Sequence, residues 1–216
     1  MTIHNFDLTN SVLNNFISEI RDFSIQKDAM RFRRNIERIG EILSYELSKE
    51  LDYQNQKVTT PFGEKKINTT IQDLVLCSVL RAGLPLHQGI LNYFDKIDNA
   101  FISAYRHHTS DESFEIKVEY FASPELDQKV LILADPMLAT GNSLVAVYDT
   151  LRTIGHIKKV HIVAVIASSD GIEFIKNHFP KNTHLWVATI DNELNEKGYI
   201  IPGLGDAGDL AFGKKL

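Results

Sequence analysis

Five apolar runs of strand length, at 74–80, 100–105, 130–134, 160–167 and 184–190, recur through the chain, and stretches of helical spacing separate several of them. A strand that is apolar on both faces has to be buried on both. That happens when helices cover the two sides of a parallel sheet. The pattern predicts a doubly wound α/β fold, a mostly parallel sheet flanked by helices, with covering helices over 85–94, 143–154 and 171–178. Two helices precede it. Val12, Leu13, Phe16, Ile17, Ile20 and Phe23 recur at helical spacing behind Asn10 or Ser11 as a cap. A second helix starts after Asp28 and runs to about Lys49, with Phe32, Ile36, Ile39, Leu43 and Leu47 on one face. Arg31, Arg33, Arg34 and Arg38 in its early turns read as a solvated basic face before they read as a binding patch.

Residues 56–70 carry the pattern of a β-hairpin arm turning about Gly63-Glu64. Five of the twelve glycines fall in the last nineteen residues, so 191–216 is expected to be a loop region of unusual backbone geometry. No linker, repeat or long charge block divides the chain. The expectation is a single domain of N-terminal helices (1–50), hairpin arm (56–70), α/β core (74–190) and C-terminal loop (191–216). Charge then narrows the partners. With 23 Lys+Arg against 28 Asp+Glu the net charge is −5, which argues against nucleic acid or an anionic membrane, both bound through a cationic excess. Cys77 is alone, so no disulfide can form within the chain. The N-terminus has no basic stretch leading into an apolar one, and a cytoplasmic location is expected.

In open α/β sheets ligands bind beyond the carboxyl ends of the strands, so the loop after 130–134 is the first place to look. There the chain reads Asp135-Pro136-Met137-Leu138-Ala139-Thr140-Gly141-Asn142-Ser143 before a helix. A buried strand delivers one carboxylate, and a short turn then opens a helix whose free amides and positive dipole end suit a phosphate. Hydroxyls of Thr140 and Ser143 can add donors. No Lys follows Gly141, which excludes the Walker loop.

Apolar strand, acidic residue and Ala-Thr-Gly-x-Ser together resemble the 5-phospho-α-D-ribose 1-diphosphate (PRPP) signature of type I phosphoribosyltransferases. Asp135-Pro-Met-Leu-Ala-Thr-Gly is similar to the form carried by the uracil phosphoribosyltransferase family. Val79-Leu-Arg81-Ala-Gly83-Leu, Ala104-Tyr105-Arg106 and Leu194-Asn-Glu-Lys-Gly198-Tyr-Ile200-Ile-Pro-Gly203-Leu-Gly205-Asp206-Ala207-Gly-Asp209 resemble that family in its order, and the likeness extends from about residue 30 to the end. The resemblance implies a soluble homodimer or higher homo-oligomer joining uracil to PRPP, with Mg²⁺ on the diphosphate. Some members respond to GTP, so an allosteric GTP effector belongs to the expectation.

The resemblance also implies roles. Residues 135–143 with Arg81, Arg106 and Asp206 would contact PRPP; Ile200, Gly205, Asp206 and Ala207 would read uracil; Asp135, Arg106 and Asp206 would carry the chemistry, with Mg²⁺ held by PRPP near Asp206. An alternative is a regulator of the same fold that binds nucleotide or PRPP without turnover. Gly203-Leu-Gly205-Asp-Ala-Gly208 satisfies the dinucleotide pattern G-x-G-x-x-G, but only eight residues follow it, too few for the acidic partner such a site needs. This chain departs from the family pattern at Asn142, in place of a glycine and tolerable there as the residue most at ease with positive φ, at Pro85 and in the loop from His107-His108, where adjacent histidines read as exposed side chains.

Overall fold

The computed structural model describes residues 1–71, 73–108 and 114–215, the side chains of 104–118 excepted. The chain opens with β1 (Thr2–Asn5), α1 (Leu13–Arg21) and α2 (Ala29–Ser48), followed by β2 (Tyr53–Thr60) and β3 (Gly63–Thr70). Next come β4 (Leu74–Leu80), α3 (Leu84–Leu91), β5 (Asp98–His108), β6 (Phe114–Ala122), β7 (Val130–Ala134), β8 (Met137–Leu138) and α4 (Asn142–Leu151). The remainder is β9 (Lys159–Ser168), α5 (Ser169–Lys176), β10 (His184–Asp191), β11 (Glu193–Leu194), β12 (Ile200–Ile201) and α6 (Ala207–Phe212).

The five apolar runs all become strands of one sheet, ordered β1-β10-β9-β7-β4-β5-β6, with β8 also against β9. Every pairing is parallel except β5 with β6. Alternate residues serve opposite cores, which is why these strands are apolar throughout. Leu74 and Leu76 of β4 and Ile132 of β7 pack with α1, α2, α3 and α6. Val75 and Cys77 with Leu131 and Leu133 pack under α4 and α5. Each such side chain, withdrawn from water, contributes about 1.5–3 kcal/mol.

The order places the site. From β4 the chain builds outward to β5 on one side, while β7, β9 and β10 build outward on the other. The winding reverses between β4 and β7, and a crevice opens beyond their carboxyl ends.

α2 forms as its pattern predicts: Asp28 caps it, accepting from the Arg31 amide at 3.0 Å, and the five expected apolar residues are buried. Its arginines serve structure. Arg31 meets Glu19 at 2.8 Å, Arg34 meets Glu37 at 2.6 Å, and Arg33 donates to the Ala211 carbonyl at 2.7 Å. In α1 the buried residues are Leu13, Ile17 and Ile20, while Val12 (58% exposed) and Phe23 (73%) face outward, because the helix is shorter than its apolar pattern.

Further differences from the sequence reading concern other elements, the first being that residues 2–5, read within the N-terminal helical region, form β1 at the sheet edge against β10. The arm's turn is Pro61-Phe62, between the paired Thr60 and Gly63, not Gly63-Glu64. The stretch read as a loop after His108 returns as β6, antiparallel to β5, with 109–113 outside the described residues. The C-terminal segment contains α6, opened by Asp206, whose carboxylate accepts from the Asp209 amide at 2.9 Å. Among the described residues no helix is long and apolar enough to cross a membrane.

Candidate active site

β7 is wholly buried and ends on Asp135. The Asp135 amide donates to the Val163 carbonyl at 3.1 Å, which pins the strand tip to β9, and the Met137 amide donates to Asp135 Oδ1 at 3.3 Å. The partly buried carboxylate lines the crevice. Burial pushes its pKa up to about 7, against the pull of the Met137 amide.

The chain then turns through Thr140 and Gly141 into α4. Gly141 caps that helix at φ 82°, and a Cβ there would stand 2.9 Å from the side chains of Ile175 and Phe174, so both backbone and packing demand glycine. The positive φ falls on Gly141 itself. Asn142 starts the helix and needs no tolerance for it. α5 buttresses the turn from behind. Ser168 Oγ donates to the Ala139 carbonyl at 2.6 Å and accepts from the Gly171 amide at 2.8 Å, while a Cβ on Gly171 would collide with that same carbonyl.

Beyond the ends of β4 and β7 lies a cavity of about 400 Å³. Arg81 and Ala82 from the β4–α3 turn form one wall; Asp135, Met137, Ala139 and Ser143 form a second; Gly198, Tyr199, Gly205, Asp206, Ala207 and Gly208 form a third, with Lys215 beside them. A hollow of about 90 Å³ shares residues with it and reaches Leu138, Thr140, Gly141 and Leu144 at the start of α4. Pro85 fits its place, lying in the first turn of α3 where its missing N–H costs no hydrogen bond.

Arg81 is already engaged. Its Nη2 donates to Asp209 Oδ1 at 3.3 Å and to the Gly213 carbonyl at 3.0 Å, while its buried Nε has no partner. Part of this guanidinium is thus held by an ion pair with a residue of α6.

Of the residues singled out in the sequence, Arg81, Asp135, Met137, Ala139, Ser143, Gly205, Asp206 and Ala207 meet at the larger cavity, and Leu138, Thr140 and Gly141 at the hollow. Pro136 is buried behind the turn, and Asn142 lines neither space. Ile200 is 4% exposed, with its side chain in the core beneath α2, so only its main chain is available to a ligand. Arg106 stands on β5 opposite Ile116 in register, and its side chain lies outside the described residues, as do those of His107 and His108. Tyr199 and Lys215 were missed as cavity residues. Tyr199 stands inside the 194–209 motif but was given no role there, and nothing near the chain end singled out Lys215. Among the described residues no trio of His, Cys, Asp or Glu is arranged to hold a metal.

The uracil phosphoribosyltransferase family model matches residues 8–214. A uracil phosphoribosyltransferase of Porphyromonas gingivalis is 50% identical over 216 residues, covering all of both chains. One from Pyrococcus furiosus is 38% identical over 203 residues, 93% of this chain and 85% of that one. Among solved structures, one of an Aquifex aeolicus protein superposes with a TM-score of 0.87 at 30% identity, covering both chains fully. A hypoxanthine phosphoribosyltransferase of Staphylococcus aureus shares the fold, with a TM-score of 0.51 at 14% identity over 86% of this chain and 84% of that one. The likeness therefore begins near residue 8, not near residue 30, and takes in α1.

Proposed function

The chain belongs to the uracil phosphoribosyltransferase family and joins uracil to PRPP, giving UMP and diphosphate in pyrimidine salvage, and from that premise we propose how its cavity does so. The observation that carries the proposal is the meeting of three segments at one crevice: the β4–α3 turn, the β7–α4 turn and the start of α6.

The hollow at the start of α4 takes the 5′-phosphate. It offers main-chain N–H groups at a positive dipole end and the hydroxyl of Thr140, with Ser143 at its rim. Asp135 accepts hydrogen bonds from the ribose hydroxyls. Arg81, and Arg106 near the end of the neighbouring strand, receive the diphosphate as forked cations. Pro136 and Leu138 shape the turn, and Asn142 opens the helix. Uracil lies against the main chain of Gly205, Asp206 and Ala207 and the backbone of Ile200. Its alternating carbonyl and N–H groups match main-chain donors and acceptors there, whereas the edge of cytosine would leave some unpaired.

In the reaction the bond from ribose C1 to the diphosphate oxygen breaks and uracil N1 attaches from the opposite face. Catalysis is then mainly positioning, with cations placed where charge departs. The N1 proton leaves late, and Asp206 is the group we assign to receive it through water. Mg²⁺ fits this donor set as an ion carried by the diphosphate: two carboxylates, Asp135 and Asp206, line the cavity without forming a cage, and Mg²⁺ favours few carboxylates together with phosphate oxygens and water. When bound it neutralises charge on the diphosphate.

The whole chain works as one domain. Its arm, exposed along β2 and most of β3 with Phe62 fully open at the tip, docks on a second copy, which makes the enzyme a homo-oligomer. Its substrates are soluble, and it works in the cytoplasm. UMP formation by the Asp135→Asn variant tests the site. The expected loss in kcat/KM is about a hundredfold or more; parent-like turnover would reject the assignment.

A further inference from the structure

Behind the C-terminal loop lies a largely buried ion pair that lines no part of the cavity. Arg21, the last residue of α1, sets both terminal nitrogens on the Asp191 carboxylate at 2.8 Å each. The same guanidinium donates to the Gly203 carbonyl at 3.1 Å and to Thr189 Oγ1 at 3.1 Å. Asp191 accepts the Gly203 amide at 2.9 Å. Both polar groups of one glycine are thus held by the two members of a single forked pair. The side chains are 20% and 10% exposed. Burial works to raise the Asp191 pKa, but hydrogen bonds from Arg21 and the Gly203 amide overcome it and hold the carboxyl below its usual value.

Neighbouring contacts extend the clamp. Gln26, 8% exposed, donates from Nε2 to the carbonyls of Ile20 (3.0 Å), Arg21 (3.2 Å) and Leu204 (3.2 Å). Asp7 accepts from Thr189 Oγ1 at 2.8 Å and the Ile190 amide at 3.2 Å, steadying the strand end that carries Asp191. Gly203 sits at φ 60° with no room for a Cβ against the Ile200 carbonyl. Residues 203 and 204 are therefore fixed from below, and the next residue, Gly205, already lines the cavity.

We propose that Arg21 and Asp191 are positioning residues for base recognition, fixing Gly203 and Leu204 so that the main chain of 205–207 meets the pyrimidine edge in register. The inference rests on the reading of 205–207 as the base site. Recognition through main-chain groups leaves no rotamer to absorb an error, so the loop has to be held to within a fraction of an ångström. Removing one member of a buried, hydrogen-bonded pair strands the other and frees what it held. Because the contacts of this pair reach Gly203 of the loop and Thr189 of β10 but none reaches the turn at the start of α4, uracil and PRPP should respond differently.

Steady-state kinetics of Arg21→Gln, Arg21→Lys, Asp191→Asn and Gly205→Ala, with thermal midpoints, test this. Arg21→Gln should raise KM for uracil about tenfold while KM for PRPP stays within about twofold, and Arg21→Lys, which keeps the charge and loses the fork, should fall between. Parent-like uracil KM in the Arg21 and Asp191 variants, with a raised value in Gly205→Ala, overturns the inference and leaves the base-loop reading standing. No change in any of the four, Gly205→Ala included, removes the base-loop reading itself. Parallel rises in both KM values, or a lowered midpoint with unchanged kinetics, reduce the pair to a structural contact and overturn the inference. If Arg21→Gln does not fold, Arg21→Lys and Asp191→Asn decide by the same criterion.

Discussion

Asp135 directly follows the wholly buried strand β7 and brings a carboxylate into the crevice. Its carboxyl moves from 3.8 in the open chain to about 7 in the fold. With the folded value raised, its contribution to stability is fully present below 3.8 and is lost as pH rises through about 7. At pH 8 the fold therefore carries the cost of a charged, poorly solvated carboxylate. About three units at about 1.4 kcal/mol each set a ceiling of about 4 kcal/mol. Asp135→Asn should accordingly raise the thermal midpoint more at pH 8 than at pH 5, even as activity falls. Equal shifts at the two pH values would show that the carboxylate is solvated after all. The meeting of Asp135, Thr140 and Gly141 at adjoining spaces was legible in the sequence because it is local, a carboxylate and a helix-start turn within a few positions. Arg21 and Asp191 were not, because 170 residues separate a pair that only the fold brings together.

Strands of the main sheet were legible to the extent that they are buried on both faces. β4, β7, β9 and β10 stand where their apolar runs predicted them. β1 and β6 lie at the two edges of the sheet, with one neighbour each, and carry no apolar run to announce them. α6 has six residues including a glycine, too short to show a period. The β7–α4 turn was visible in outline, but its support from α5 was not, since Gly171 looks like an ordinary helix-start glycine until the Ala139 carbonyl is found against it. Gly171→Ala should push that carbonyl toward the cavity, cost about 1–3 kcal/mol of stability and raise KM for PRPP. Thermal denaturation and kinetics check it together. An unchanged PRPP KM would mean that the turn holds its shape without α5.

At the scale of the whole molecule, the end of the sheet away from the cavity carries a cluster of histidines around Trp186. His161 is fully buried, and Trp186 Nε1 donates to its Nδ1 at 3.0 Å, which requires that nitrogen unprotonated. Burial, then the charges of Lys159, His184 and His4, push its pKa from 6.5 down to about 3. Because the folded value is depressed, the stability it contributes is present above 6.5 and drains away as pH falls toward about 3. His4 and His184, lowered mainly by burial, act in the same direction. The thermal midpoint should fall between pH 6.5 and 4, and His161→Gln should flatten that slope; an unchanged slope would show that acid sensitivity arises elsewhere.

The net charge of −5 also has a meaning at this scale. It argues against extended polyanions, while a small polyphosphate needs only helix-start amides, arginines and a metal. The α/β class and acidic character could be read from the sequence. That β4 and β7 are neighbours, and so bring Arg81 and Asp135 to one crevice, could not. Only strand order decides it.

The most direct test of the account is product formation when the purified protein is given PRPP, Mg²⁺ and, separately, uracil, cytosine, orotate, hypoxanthine or adenine. UMP and diphosphate should form with uracil and no nucleotide with the others; PRPP binding without turnover of uracil, or turnover of a different base in its place, would contradict it.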